Sequence, residues 1–136
     1  MNRALVQVIR SLLSVVIGFG LFLGALQLIP ALAEQTGADS EAIRYLLLHV
    51  AWTVAAAIVC GFLTALIAGS HEFPHVAAVG MLMVGLSVFS MKDQAIVRPG
   101  WYQITIAGCG PVSAMIGAAI RLLWRLRQSA RAEKAK

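Results

Sequence analysis

The sequence predicts an all-α polytopic membrane protein, a single antiparallel bundle of four transmembrane helices over residues 1–136. Three observations carry that expectation. Hydrophobic residues make up 60% of the chain and charged ones 12%, about half the charge that a water-soluble domain spreads over its surface. The mean hydropathy is +0.82, so much of the surface must face lipid. The few charges are also confined: residues 11–33, 45–71, 73–91 and 99–120 contain no Asp, Glu, Lys or Arg. Each window exceeds the roughly 18 residues that mark a transmembrane helix and, at about 1.5 Å per residue, covers a hydrocarbon core of about 30 Å.

The helix cores fall near residues 12–32, 45–68, 74–91 and 101–124, followed by a basic tail over 125–136. Ahead of the first, Arg3 and Arg10 precede an apolar run ending Ala31, Leu32, Ala33, which also fits a signal-peptidase site. The run is longer than the usual ~7 to 15 residues of a signal peptide, so an uncleaved first helix is expected. Asp39 or Ser40 is suited to cap the second helix and Gly69 to end it. Pro74 suits the first turn of the third, where a missing N–H costs nothing. Arg98, Pro99 and Gly100 make the turn into the fourth. Inside it, Gly108, Cys109, Gly110 and Pro111 are expected to interrupt the helix. Pro111 removes a backbone hydrogen bond and leaves a carbonyl near Ala107 without its donor, giving a packing kink of a type that lines binding sites in transporters. Tyr45, Trp101 and Tyr102 form one expected interfacial belt, Phe73 and Trp124 the other. The longest loop, 33–44, is about twelve residues, so neighbouring helices run antiparallel.

Lys and Arg set the orientation. With four spans both termini share one side, which holds Arg3, Arg10, Arg121, Arg125, Arg127, Arg131, Lys134 and Lys136; the other holds Arg44, Lys92 and Arg98. Eight against three places both termini in the cytoplasm. The basic tail is expected to lie against anionic lipid headgroups. It carries no aromatic or helical reading element of the kind that recognises nucleic acid, so no such partner is expected.

His71, Glu72, Phe73, Pro74 and His75 match the zinc-hydrolase pattern HExxH letter for letter. That chemistry needs both His on one continuous helix, one turn apart, with the Glu activating a metal-bound water. Here Pro74 stands between them just after Gly69 has ended a helix, which puts His71 in a turn. A third ligand is missing too: His49 lies near the opposite face, about 30 Å away at helical rise, and the remaining carboxylate on that side is Glu133 in the tail. No catalytic, cofactor or metal site is therefore expected, and polar residues in a two-helix turn is the preferred reading. Ser14, Gln27, His49, Thr53, Thr64, Ser87, Gln103, Thr105 and Ser113 are among the few polar residues within the spans. None supplies the intramembrane carboxylate or paired charge that ion-coupled pumps need. His49 is expected to bond backbone or water at the interface, and Cys60 and Cys109 to stay apart as small apolar residues rather than a redox pair.

Packing signals are stronger. Thr53, Ala57, Gly61, Ala65 and Gly69 recur every fourth residue, a ridge of small side chains that lets another backbone approach closely. Gly110, Ala114 and Ala118 offer the same in the fourth helix, Gly20 and Gly24 in the first. The ridges serve packing within one chain, a homo-oligomer, or a membrane-protein partner.

With Arg10 and Ser11 opening the first span, Tyr45 and Leu46 the second, then Ala68–Gly69, His75, Trp101–Tyr102–Gln103, Gly110–Pro111 and Arg121, nearly the whole chain resembles a family of small four-span bacterial inner-membrane proteins. The resemblance implies the bundle and its location and carries over no functional residue. Gly117 to Arg121 is also similar to a glycine and arginine motif of fluoride channels, but in the wrong helix and without the rest of that pattern. The expected function is a non-enzymatic accessory or structural membrane component. The alternative is a small pore or transporter subunit, holin-like or solute-conducting.

Overall fold

The computed structural model describes residues 3–37, 42–69, 72–92 and 99–134. Among them the chain forms four helices and no strand: α1 (Arg3–Thr36), α2 (Ile43–Ala68), α3 (Glu72–Lys92) and α4 (Gly100–Lys134). All four are long and apolar enough to cross a membrane. The protein is a small multi-pass membrane protein of the all-α class.

The helices outrun their apolar windows. α1 begins at Arg3 and α4 carries the basic tail as helix to Lys134, because a charge ends the hydrocarbon-compatible segment without ending backbone hydrogen bonding. With 34 and 35 residues these helices reach about 50 Å, well beyond a core of about 30 Å. α4 also runs as one helix through Pro111. Gly80 of α3 faces that proline, with its Cβ position 3.4 Å from the Pro111 Cβ. Pro30 likewise sits inside α1. It cannot donate to the Leu26 carbonyl one turn earlier; at the adjacent residue the Trp52 indole N–H donates to the Ala25 carbonyl at 2.6 Å, tying α2 to α1.

Gly69 stops α2 in the left-handed region at φ 68°, its N–H bonded to the Ala65 carbonyl at 3.2 Å. At the other end of α2 the N-cap is Ala42, without a side-chain cap; Asp39 and Ser40, expected in that role, lie outside the described residues. Pro99 starts α4 by accepting the N–H groups of Tyr102 and Gln103 at 3.0 and 3.4 Å.

α2 is the hub, packed against α1, α3 and α4, and its most extensive interface is with α4. Those two run parallel: His49 meets Tyr102, Gly61 meets Ala114, and Gly69 meets Arg125. The principal core joins Ala57, Cys60 and Ala65 of α2 to Ala114 and Ala118 of α4, closed over by Phe22 of α1 and Val76, Val79 and Met83 of α3. Around it Val16, Met81, Ile104 and Val112 stand at least 61% exposed. In water such a surface would aggregate, whereas lipid solvates it.

Candidate functional site

The most distinctive construction in the bundle is the α2–α4 seam. Thr53, Ala57, Gly61 and Ala65 are buried along α2, and Gly110, Ser113, Ala114, Gly117 and Ala118 along α4. A Cβ built on Gly61 would overlap the Ala114 carbonyl oxygen and lie 2.7 Å from the Ala114 Cα; one on Gly117 would overlap the Ile58 carbonyl oxygen and lie 2.7 Å from the Phe62 nitrogen. Each helix thus presents a glycine to the other's backbone, the close approach that small residues allow where hydrophobic drive is absent. Gly110 points elsewhere, its Cβ position 3.6 Å from the Met83 sulfur and 3.9 Å from the Phe22 ring. Gly117 lies outside the packing residues expected from the sequence, although Gly110, Ser113, Ala114, Gly117 and Ala118 form an i, i+3, i+4 row of small residues that signals it.

α1 departs from expectation. Gly20 and Gly24 have nothing within 4 Å of their Cβ positions, and it is Gly18 that packs, its Cβ position overlapping the Thr64 hydroxyl. The reason is rotational: Phe22 is buried on the face that α1 turns inward, while Gly20 and Gly24 fall on the other side of the turn.

Polar residues gather at both ends of the seam. At the end near the loops, Tyr45, His49 and Tyr102 are buried, and the Tyr102 hydroxyl and His49 Nδ1 share a hydrogen bond of 2.6 Å. Two departures from expectation follow. His49 bonds a phenol in the neighbouring helix, a partner not expected from the sequence, and Tyr45 and Tyr102 pack with Ile29 and Leu46 inside the bundle instead of forming a lipid-facing belt. Trp101 alone of that trio is exposed, edge-on to Tyr102.

At the opposite end three helices converge on the carboxyl terminus of α2. Its last carbonyls carry partial negative charge and lack helical donors. The Arg10 Nε–H donates to the Ile67 carbonyl and an Arg125 N–H to the Gly69 carbonyl at 3.4 Å. Gly69 is required here by its positive φ; the group its Cβ would meet is the Arg10 guanidinium, the mobile end of a long side chain. Arg125 also pairs with Glu72 at 2.9 Å; the carboxylate side chain is 3% exposed and the guanidinium 44%, so a buried charge is neutralised by one that reaches out of the bundle. The second Glu72 oxygen and two Arg121 nitrogens are shielded and without hydrogen-bond partners among the described residues. The Arg121 guanidinium instead sits 5.1 Å from the centre of the Trp124 ring. One turn along α3 from Glu72, His75 Nε2 meets the Ser11 hydroxyl.

These contacts bear on the HExxH letters. α3 starts at Glu72, His71 lies outside the described residues, and Glu72 and His75 are engaged with Arg125 and Ser11. Among the described residues no group of three His, Cys, Asp or Glu comes together to hold a metal. Cys60 and Cys109 are both free thiols.

No protein-family model, curated protein or solved structure matches the chain.

Proposed function

We propose that the chain is a non-enzymatic accessory or structural component of a bacterial inner membrane, with both termini cytoplasmic. The observation that supports this most is where its polar side chains go. Ser14, Thr53, Thr64, Ser87 and Thr105 return their hydroxyls to carbonyls of their own helices at 2.7 to 2.9 Å. Trp52, His49 with Tyr102, His75 with Ser11, Arg10, and Glu72 with Arg125 fasten helix to helix. A conducting or catalytic site holds polar groups toward open space for its ligand, whereas these are committed to the bundle. The seam between α2 and α4 is closed by backbone contact at Gly61 and Gly117. The basic asymmetry supports the orientation, and a membrane-protein partner or a second copy is the natural client of such a scaffold.

Flux from liposomes holding the purified chain tests the reading: leakage of ions and a small dye should equal that of empty vesicles. Flux above that background would move the protein to the pore or transporter class. Orientation is tested in a Cys60→Ala, Cys109→Ala background. A single cysteine at position 38 or 95 should react with an impermeant reagent in intact cells, and reaction at 71 or 130 instead would invert the topology.

A further inference from the structure

We propose that the outer face of the α2–α4 pair, at its basic end, seats one anionic phospholipid, with an acyl chain in the groove beside Trp124 and the phosphate on Arg127 and Arg131. The proposal rests on the placement of that end at the inner leaflet. A groove of about 330 Å³ lies there, lined by Phe62, Ile120, Leu123, Trp124 and Arg127. Four of these five side chains are apolar or aromatic, and the fifth is a cation.

Helical arithmetic orders them along the membrane normal. Ile120, Trp124 and Arg127 share one face of α4, and Arg131 continues that face one turn further out. Apolar wall thus gives way to guanidinium over about 10 to 16 Å of helical rise, the order in which a phospholipid presents chain and phosphate. The wall is held from both sides: the Phe62 and Trp124 rings lie 6.5 Å apart, and the Arg121 guanidinium sits against the Trp124 indole. Guanidinium binds phosphate oxygens in pairs, which gives a planar fork an advantage over a point charge.

Charge selects this occupant over a second copy of the chain. Copies inserted with the same orientation and meeting through this face would bring Arg127 and Arg131 of each to the same depth, like charge against like, in a chain of net charge +5. A zwitterionic lipid adds its own cation beside the two arginines. A lipid with uncompensated phosphate adds none.

The test uses the full-length chain in phosphatidylcholine vesicles carrying a minor fraction of lipid brominated in its acyl chains, either phosphatidylglycerol or phosphatidylcholine. Emission of Trp124 is read in a Trp52→Phe, Trp101→Phe background. Brominated phosphatidylglycerol should quench with about 25-fold higher apparent affinity than brominated phosphatidylcholine, since each of the two basic side chains near the surface contributes about five-fold. The preference should fall to near parity in Arg127→Gln/Arg131→Gln and also in Ile120→Phe, which fills the groove. Arg44→Gln, which removes a cation from the opposite end, should leave it intact. Should the tryptophan background unfold, native mass spectrometry of the otherwise unaltered chain with mixed lipids reads the same preference. Equal quenching by the two lipids, or a preference that survives Ile120→Phe, would overturn the seat while leaving the membrane placement standing. No quenching by either would overturn both.

Discussion

Gly61 and Gly117, and Gly20 and Gly24, look alike in sequence: glycines in apolar helices, each four residues from another small residue of its own helix. In the bundle they are opposites. Gly61 and Gly117 lie where another backbone would occupy the space of a Cβ, and Gly20 and Gly24 have nothing within 4 Å. The difference teaches that four-residue spacing records a face without saying what that face meets. What decides is the remainder of the turn. α2 flanks Gly61 with Ala57 and Ala65, both fully buried, so the whole strip is shallow and admits α4. α1 flanks its glycines with Phe22, whose burial turns the large side of the helix inward and leaves the small side out.

The largest expected effect comes from breaking the seam. Gly61→Leu puts a branched side chain where Ala114 backbone stands, and backbone cannot rotate aside as a side chain does. The helices must separate, at a cost of about 3 kcal/mol, the upper end of ordinary overpacking. Thermal unfolding in detergent should show it, and Gly117→Leu should match it from the other side. A wild-type melting temperature in both would mean that the α2–α4 contact is not the fastening of the bundle.

A smaller effect asks whether the seam sets its own register or is held in it by the charged end. Arg125→Gln leaves the Glu72 carboxylate, 3% exposed, without its cation, a loss of about 2 kcal/mol for a buried charged group deprived of its partner. Glu72→Gln should be milder, because the Arg125 side chain is 44% exposed and regains solvation. Equal melting temperatures for the two variants would show that the pair is solvated as a unit and does not fix register. Below these comes Gly18→Ala. Its new methyl meets the Thr64 hydroxyl, which donates to the Cys60 carbonyl at 2.8 Å; turning Thr64 away forfeits that bond, about 1 kcal/mol. The contrast with Gly61→Leu is between a neighbour that yields and one that does not.

The fold class was legible because hydrocarbon excludes charge, and four charge-free windows mean four helices. Their ends were less so. The windows mark lipid, and a helix such as α4 continues through Arg121, Arg125 and Arg131 after lipid has ended, since nothing in those residues breaks its ladder. Spacing also exposed the small ridges of α2 and α4, both of them single-helix patterns. The polar clamps were out of reach for a different reason. Glu72 and Arg125 stand 53 residues apart, as do His49 and Tyr102, and no periodicity within one helix can pair residues across two. The HExxH letters show the same limit: they describe neighbours in sequence, while the partner Glu72 finds lies in α4. Tyr45 and Tyr102 belong here too, since an aromatic near a span end fits the lipid interface and the bundle interior equally well until its neighbour is known.

The smallest expected effect has the opposite sign and carries the comparison beyond the single chain. Gly20 faces open space, so an added methyl there meets no protein, and a glycine in a helix interior leaves more backbone entropy to be lost than alanine does. Gly20→Ala should therefore raise stability by about 0.5 kcal/mol, visible as a slightly higher melting temperature for the dispersed chain in detergent. The larger change Gly24→Leu should be tolerated for the same reason. Both expectations hold only while lipid covers that face. If a second copy or a partner protein docks its backbone against Gly20 and Gly24, as α4 docks against Gly61, either substitution would disperse the assembly on size-exclusion chromatography or abolish co-purification of the partner. Such a result would erase the contrast between the two pairs of glycines, assigning one to contact within the chain and the other to contact between chains.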